Sequence, residues 1–337
     1  MTPSQETSSR ETVAVCIPTY NQAPYLAQAI ASVLAQGHPV DEIIVSDDAS
    51  TDETPAICEQ FSRDIPFFRY YRQPHNLGMG ANVEFVLRQA TSTYVARLDS
   101  DDRFLPDFLG HLIAAIREAP QAGYAHGNVW ELDGQGNRVR LRTLYRPPGF
   151  QAAHEALIAS LPGYRVTANI VLFRGDALMK VDIMKGEGSF AGDYHLSVAL
   201  ARAGYGNVYV PEPLAEYRVW SDQQGVRARR KEQELRGLIR VFDEQLEPGF
   251  REAGMPLAPV RQARRSFALR HVVALDDANL SVEEKKRLES CLLELGDSPL
   301  LRLLMRLSRW RLGFLLRGYW KTVGFSRGVV KKILRGG

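Results

Sequence analysis

Cysteine is scarce in this chain. Cys16, Cys58 and Cys291 are odd in number, far apart and without a Cys-x-x-Cys pair, which argues against a disulfide framework or a zinc site. Cys16 lies in an apolar run and reads as a small buried hydrophobe, and a reducing cytosol is the simplest home for such thiols. No charge-free apolar run reaches the length needed to span a bilayer. Residues 1–11 are polar without an apolar centre, so they read as a disordered N-terminus and not as a signal peptide or anchor. Three catalytic signatures are also missing: Gly-x-x-x-x-Gly-Lys-[Ser/Thr], Gly-x-Ser-x-Gly and His-Glu-x-x-His. Gly78-Met79-Gly80 lacks the third glycine of a dinucleotide fingerprint, Val83 standing in its place. A Walker-type ATPase and a nicotinamide enzyme are therefore not expected. Acids are absent from residues 298–337, where ten Lys or Arg stand, so a whole-chain charge of +3 leaves −7 on residues 1–297.

With 337 residues, 45% hydrophobic and 24% charged, the chain can bury a substantial core as a soluble globular protein. Strand and helix patterns alternate along its first half. An apolar strand at 13–18 delivers the loop Pro18-Thr19-Tyr20-Asn21, and a helix is expected over 24–36 with Gly37 as its stop. A second strand at 42–46 delivers the polar loop 47–51, after which Asp52-Glu53-Thr54-Pro55 opens a helix with acids in its first turn. A third strand covers 67–72, a turn 76–80, a helix 81–91 and a fourth strand 94–98. This order predicts an α/β fold with a mostly parallel sheet and helices on both faces. Ligands then bind beyond the carboxyl ends of the strands, where loops 18–21, 47–51 and 99–102 meet. The second half reads as a strand at 124–132, a turn, and a basic loop to Gly149. A helix at 151–160, a strand at 169–174, helices at 176–182 and from 192, and a strand, turn and strand over 207–218 follow. Helical periodicity runs from Gly225 onward.

Charge is concentrated in residues 94–108, with a helix start expected near Pro106. Asp99 and Asp101 are two apart, so on an extended backbone they face the same way, and like charges that close favour protonation unless a cation intervenes. Hard oxygen donors suit Mg2+ or Mn2+, with water and a phosphate-bearing ligand completing the shell. Taken alone, an Asp-x-Asp more often marks a solvated turn or a cap.

Several landmarks occur in one order: Ile17-Pro18-Thr19-Tyr20-Asn21, the stretch 46–52, Asn76-Leu77-Gly78, Leu98-Asp99-Ser100-Asp101-Asp102, the stretch 171–174, Gly192-Asp193-Tyr194-His195-Leu196, and 210–214 with Tyr217-Arg218. Over residues 13–220 the ordered set resembles the family 2 glycosyltransferases of the GT-A fold. The resemblance implies inverting transfer of a sugar from a nucleotide-sugar donor, UDP-linked, to a hydroxyl of a glycan or lipid-linked acceptor in surface polysaccharide or glycolipid assembly. It implies that Pro18, Thr19 and Tyr20 hold the base, Tyr20 by stacking, and that Asp48 accepts from the pyrimidine imide N–H. Asn82, Asp99 and Ser100 join the nucleotide-sugar set. Asp99 and Asp101 carry Mn2+ or Mg2+, with Asp101 the direct ligand and Asp99 nearer the ribose or metal-bound water. Asp193 is implied to be the catalytic base. From the residues alone, Asp193 reads as a helix cap, Asp48 as a turn residue, Tyr20 as a core aromatic, Asp102 as a cap or support and His195 as an exposed helical residue. Two positions depart from the family pattern. Trp220 stands where many relatives have the histidine of Tyr-Arg-x-His, which bears on metal dependence, and Gly192 stands where an acid commonly precedes the base.

Toward the end of the chain, Leu300, Leu303, Leu304, Leu307, Trp310 and Phe314 recur at helical spacing. Arg302, Arg306 and Arg309 form another stripe, and Arg311 interrupts the apolar one. This suits a helix lying on an anionic membrane surface. Packing against the protein's own helices, or against a second subunit of a homo-oligomer, fits the pattern equally. No nucleic-acid partner is expected, because no base-reading motif accompanies the charge. The expected organisation is a GT-A domain at 12–220, a helical module at 221–297 and a basic amphipathic helical tail at 298–337, in a cytoplasmic protein peripheral on the inner face of the plasma membrane. Two rival readings are a nucleotidyltransferase, whose Gly-rich Arg/Lys first loop is absent from 18–21, and a non-catalytic sugar-nucleotide-binding scaffold, suggested by Gly192 and Trp220. The acceptor side falls in the least matched stretch, 133–165.

Overall fold

Alternate residues of the first strand serve two different cores. Val13, Val15 and Ile17 pack on one side of the sheet with Leu26, Ile30, Leu109 and Leu112, while Ala14 and Cys16 pack on the other with Val86, Leu87, Leu178 and Leu200. Burial raises the Cys16 thiol far above its ordinary range, in keeping with an inert apolar role. The computed structural model describes residues 10–164, 166–167, 169–183, 191–219 and 230–309, and they fall into two compact units, residues 1–221 and 222–337.

In the first unit, strands β1 (Val13–Thr19), β2 (Glu42–Asp47), β3 (Phe68–Arg72) and β4 (Tyr94–Arg97) are parallel, joined through helices α1 (Ala23–Leu34), α2 (Thr54–Asp64) and α3 (Met79–Arg88). Beyond β4 come the two-residue β5 (Arg103–Phe104), α4 (Phe108–Arg117), β6 (Ala122–Leu132), β7 (Arg138–Arg142) and β8 (Gly149–Gln151). Helix α5 (Ala153–Ser160), strand β9 (Val171–Arg174), helices α6 (Gly175–Met179) and α7 (Gly192–Arg202), and strand β10 (Gly206–Arg218) complete the unit. The ten-stranded sheet runs β3-β2-β1-β4-β9-β6-β10-β5, with β7 on β6 and β8 on β10. Antiparallel β9 sits between β4 and β6 and pairs Val171 with Arg97, so the chain entering β9 arrives at the carboxyl end of β4.

Several elements differ from the sequence expectation. The basic stretch read as a loop contains β7 and β8, which pair with β6 and β10. Residues 207–218 are one strand with register shifts at Val210/Pro213 and Pro213/Ala215, because Pro211 and Pro213 have no N–H for the ladder. The acids Asp52 and Glu53 precede α2 instead of lying in its first turn: Asp52 accepts from the N–H groups of Thr54 and Ala23, both at 3.0 Å, and so serves the starts of α2 and α1 together. Helix α4 begins at Phe108, after Asp107 in a left-handed conformation at φ 64°.

The second unit is helical over its described residues. Helices Lys231–Arg240, Glu247–Glu252, Ala258–His271, Val282–Gly296 and Pro299–Arg309 are separated by a π-helical turn at Val241–Leu246 and a 3-10 turn at Val272–Asp276. Ser281 and Glu284 form a reciprocal capping box at the start of Val282–Gly296. Along Pro299–Arg309, Leu301, Leu304 and Met305 are buried within the unit, while Leu300 and Leu303 stay about half exposed. Of the expected disordered N-terminus at 1–11, residues 1–9 lie outside the described residues, as do Trp220, Gly225 and the tail residues Trp310, Arg311 and Phe314, whereas Arg10 pairs with Asp41 and Glu11 accepts from Tyr94 and Arg117.

Candidate active site

The loops after β1 and β2 are laced together. The Asn21 N–H donates to Ser50 Oγ at 2.8 Å, Thr51 N–H donates to Asn21 Oδ1 at 2.8 Å, and Asp48 N–H donates to the Thr19 carbonyl at 2.9 Å. Asn21 and Ala49 adopt positive φ, at 52° and 61°, as the tight reversals require. Pro18 and Thr19 are buried and the Thr19 hydroxyl has no partner, whereas Tyr20 is 47% exposed. Tyr20 is therefore a surface aromatic able to offer a ring face, not a core residue. Buried Asp48 takes the N–H of Leu77 at 2.6 Å and that of Gly78 at 2.9 Å, which fixes the loop before α3. Asn82 lies beneath these loops. Its Oδ1 accepts from Ser46 Oγ at 2.5 Å and its amide donates to the carbonyls of Ser46 at 2.9 Å and Thr19 at 3.4 Å, so its amide is used in tying β1 to β2.

At the end of β4 the backbone does not stay extended. Residues 99–102 form a turn closed by the Asp102 N–H to the Asp99 carbonyl at 3.0 Å, so the alternation argument for Asp99 and Asp101 does not apply. Asp99 turns both carboxylate oxygens to Arg97, at 2.9 Å from Nε and 3.2 Å from Nη2. The other side of that guanidinium, Nη1, holds Asp193 Oδ1. Arg97 is buried, which by itself lowers its proton affinity, but Asp193 and Asp99 outweigh this and raise it. Asp193 sits in the first turn of α7. Burial lifts its carboxyl above the usual range, Arg97 opposes this, and Asp99 adds to the rise.

Buried Ser100 lies within the same turn. Asp102 Oδ1 accepts the Arg218 N–H at 2.8 Å, joining the turn to the end of β10. Its Oδ2 is buried without a partner, and burial, with Asp101 and Asp99 beside it, raises this carboxyl well above the ordinary range. Asp102 is thus a support for β10 and not a helix cap. An anionic cluster with an unsatisfied buried oxygen fits a hard divalent cation. It offers few protein donors, because Asp99 is committed to Arg97, and no group of three or more His, Cys, Asp or Glu is arranged to hold a metal among the described residues. Asp101 lies within the same turn, beside the buried carboxyl of Asp102.

Asp193 lines two narrow clefts, one with Tyr124, Tyr164 and Asn169, the other with Met79, Gly80 and Gly192. Open space faces Gly192 where a side chain would start. Tyr164 also lines a separate cavity of about 530 Å3 together with Arg140, Arg142, Tyr145 and Tyr217. The Tyr217 phenol is pushed up to about 12 by burial and by Asp102 and Asp99, and the N–H of the next residue, Arg218, is bonded to Asp102, so this cavity lies beside the acidic turn. His195, expected on the surface, is buried in α7. Arg97, Tyr164 and the β7 arginines were not legible as site residues, although a charge closing a short apolar strand before three acids is a signal for Arg97.

Residues 14–177 match the family model described as Glycosyl transferase family 2. The chain is 35% identical over 128 residues to a GalNAc(5)-diNAcBac-PP-undecaprenol beta-1,3-glucosyltransferase of Campylobacter jejuni, covering 37% of this chain and 40% of that protein. It is 36% identical over 103 residues to a putative teichuronic acid biosynthesis glycosyltransferase, TuaG, of Bacillus subtilis, covering 31% of this chain and 41% of the relative. The match thus spans well under half the length of these relatives. Among solved structures, S. aureus TarS 1–349 in complex with UDP-GlcNAc superposes with a TM-score of 0.66 at 19% identity, covering 88% of this chain and 87% of that one. A mannosyltransferase, PcManGT, from Pyrobaculum calidifontis in complex with GDP-Man and Mn2+ gives 0.52 at 18% identity, covering 93% and 88%. At these identities the likeness is one of fold.

Proposed function

Residues 14–177 belong to glycosyl transferase family 2 and the first unit has the GT-A fold, and from that premise we propose that the chain moves a sugar from a UDP-linked donor to a hydroxyl of a glycan or lipid-linked acceptor, with inversion. The observation that carries this reading is the shared guanidinium of Arg97, which brings Asp193 of α7 to the acidic turn after β4. The base rests on exposed Tyr20, above a floor fixed by Pro18, Thr19, Asp48 and Asn82. Asp48 keeps lone pairs beyond the two backbone contacts it makes, so it can still accept from an imide N–H. Asp99 and Ser100 lie toward the ribose, and Asp101 would hold Mn2+ or Mg2+. Such a cation, when bound, stabilises charge growing on the leaving diphosphate as a Lewis acid.

Asp193 takes the proton of the attacking hydroxyl. Its raised proton affinity, set by burial against the opposing pull of Arg97, suits that task better than an ordinary carboxylate. Arg97 touches both acids and acts by positioning them. The helix Pro299–Arg309 leaves Leu300 and Leu303 outward beside exposed Arg302 and Arg306, which supports docking on an anionic membrane where a lipid-linked acceptor would lie. Its inner leucines meet the alternative of packing within the protein's own helices.

Thermal shift of the full chain with UDP, GDP and UDP-sugars, with and without Mn2+, tests the donor reading. Stabilisation by UDP that grows with Mn2+, together with slow release of UDP from a UDP-sugar, is the expected result. Failure of every nucleotide to stabilise the protein rejects this reading together with both nucleotide-binding rivals, whereas UDP binding without any donor turnover favours the scaffold.

A further inference from the structure

In β7, Arg138-Val139-Arg140-Leu141-Arg142, Arg140 and Arg142 are two apart and share one face of an edge strand, whereas a register shift between Glu131 and Leu132 sets Arg138 apart from them. Their acidic partners are fewer. Arg140 and Arg142 both pair with Glu131 of β6, at 2.7 Å each, and Glu131 is nearly buried behind them. Arg138 shares Glu216 of β10 with Arg103. One carboxylate cannot neutralise two guanidiniums, and its two oxygens engage only part of ten N–H donors. Arg140 and Arg142 face the cavity of about 530 Å3, and no acid lines it among the described residues. Arg142 also lies over the ring of Tyr217, 5.3 Å from its centroid, and donates to the Thr167 carbonyl at 2.9 Å, so it is held in place before any ligand arrives.

We propose that this cavity receives the acceptor as an anionic saccharide, a sugar ring bearing a carboxylate or a phosphate, with Arg140 and Arg142 taking the anion and Tyr217 and Tyr145 flanking the ring. Planar guanidinium forks match either anion in a bidentate manner. The cavity meets the site through Tyr164, which also lines the cleft of Arg97 and Asp193, so a ring seated there has a route for its hydroxyl to the base. This assignment rests on reading Asp193 as that base. The ligand class itself depends only on the cavity wall.

The test uses the full chain without donor, so that it succeeds or fails apart from the donor reading. Methyl β-D-glucuronide, D-glucose 6-phosphate and methyl β-D-glucoside are titrated and binding is followed by ligand-observed NMR. At least one anionic sugar is expected to bind roughly tenfold tighter than the neutral glucoside, the scale of a charge-assisted hydrogen bond. The better of the two anions distinguishes a uronate from a phosphate-bearing acceptor. Arg140→Gln and Arg142→Gln should each remove most of that preference and leave UDP affinity unchanged, while Arg142→Lys, which keeps charge but not the fork, should retain part of it. Equal binding of all three sugars, an anion preference unaffected by all three variants, or a parallel loss of UDP affinity overturns the proposal.

Discussion

Asp99 and Asp193 are held on opposite sides of one buried guanidinium, Arg97 giving Nε and Nη2 to the first and Nη1 to the second. The acid after β4 and the acid of α7 are therefore electrostatically linked, and a change at either is felt by the other.

A base must be ionised to accept a proton, so transfer falls as pH drops through its pKa. Burial and Asp99 outweigh Arg97 at Asp193, so the acid limb of kcat/KM is expected above the value of about 3.9 for free Asp. Arg97→Gln removes the lowering influence and should move the limb to higher pH, while Asp99→Asn removes a raising one and should move it lower. A pH profile of transfer measures both, and a limb that stays put in both variants separates it from Asp193.

Asp193→Asn keeps the shape of the first turn of α7 but cannot take a proton. Transfer should fall by about 10²–10⁴-fold, the usual contribution of general base catalysis. Donor affinity, followed by calorimetry, should change little. Normal transfer by this variant would remove Asp193 from the role.

Asp102 carries a charge whose folded-state proton affinity is raised, so its contribution to stability is present in full at low pH and declines as pH rises through the raised value. Asn at this position keeps an oxygen for the Arg218 N–H and removes the charge. In metal-free protein, Asp102→Asn should gain about 1 kcal/mol at pH 8 relative to its effect at pH 4, the scale of about one pKa unit of buried charge removed. Urea unfolding at the two pH values checks it, and a loss at pH 8 relative to pH 4 would contradict it.

Gly175 begins α6 against β4, and a Cβ there would stand 2.3 Å from the Ser92 carbonyl and 3.2 Å from that of Thr93. Its N–H is bonded to Thr93 at 2.8 Å, so the backbone has little room to retreat. Gly175→Ala should destabilise the fold by about 2–3 kcal/mol, as overpacking of a close contact does, and the urea midpoint would fall accordingly.

The parallel half of the sheet was legible because β1, β2 and β4 are short apolar runs closed by polar turns, and the outer helices carry clear apolar faces. The meeting of loops 18–21 and 47–51 followed from that order, whereas the joining of residues 76–78 to them through Asp48 did not. Arg97 was not legible, since a period-two reading of Tyr94 to Leu98 counts it as an exception in a buried strand, and its partner Asp193 lies far along the chain. The turn at 99–102 was misread as extended for a similar reason: two acids spaced by one residue say nothing about the hydrogen bond that folds them. β7 was hidden because its arginines satisfy no hydrophobic alternation, and only Glu131 and Glu216 on neighbouring strands account for their pairing along the sheet. His195 shows the converse, a polar residue whose burial comes from the packing of α7 and not from its own pattern.

Asp52 accepts one N–H from the start of α1 and one from the start of α2. Two segments distant in the chain therefore share a single latch, and they should open to solvent as one event. In deuterium labelling, the amides of Asn21 and Thr51 should exchange at matched rates, and Asp52→Ala should quicken both by a common factor instead of freeing either alone.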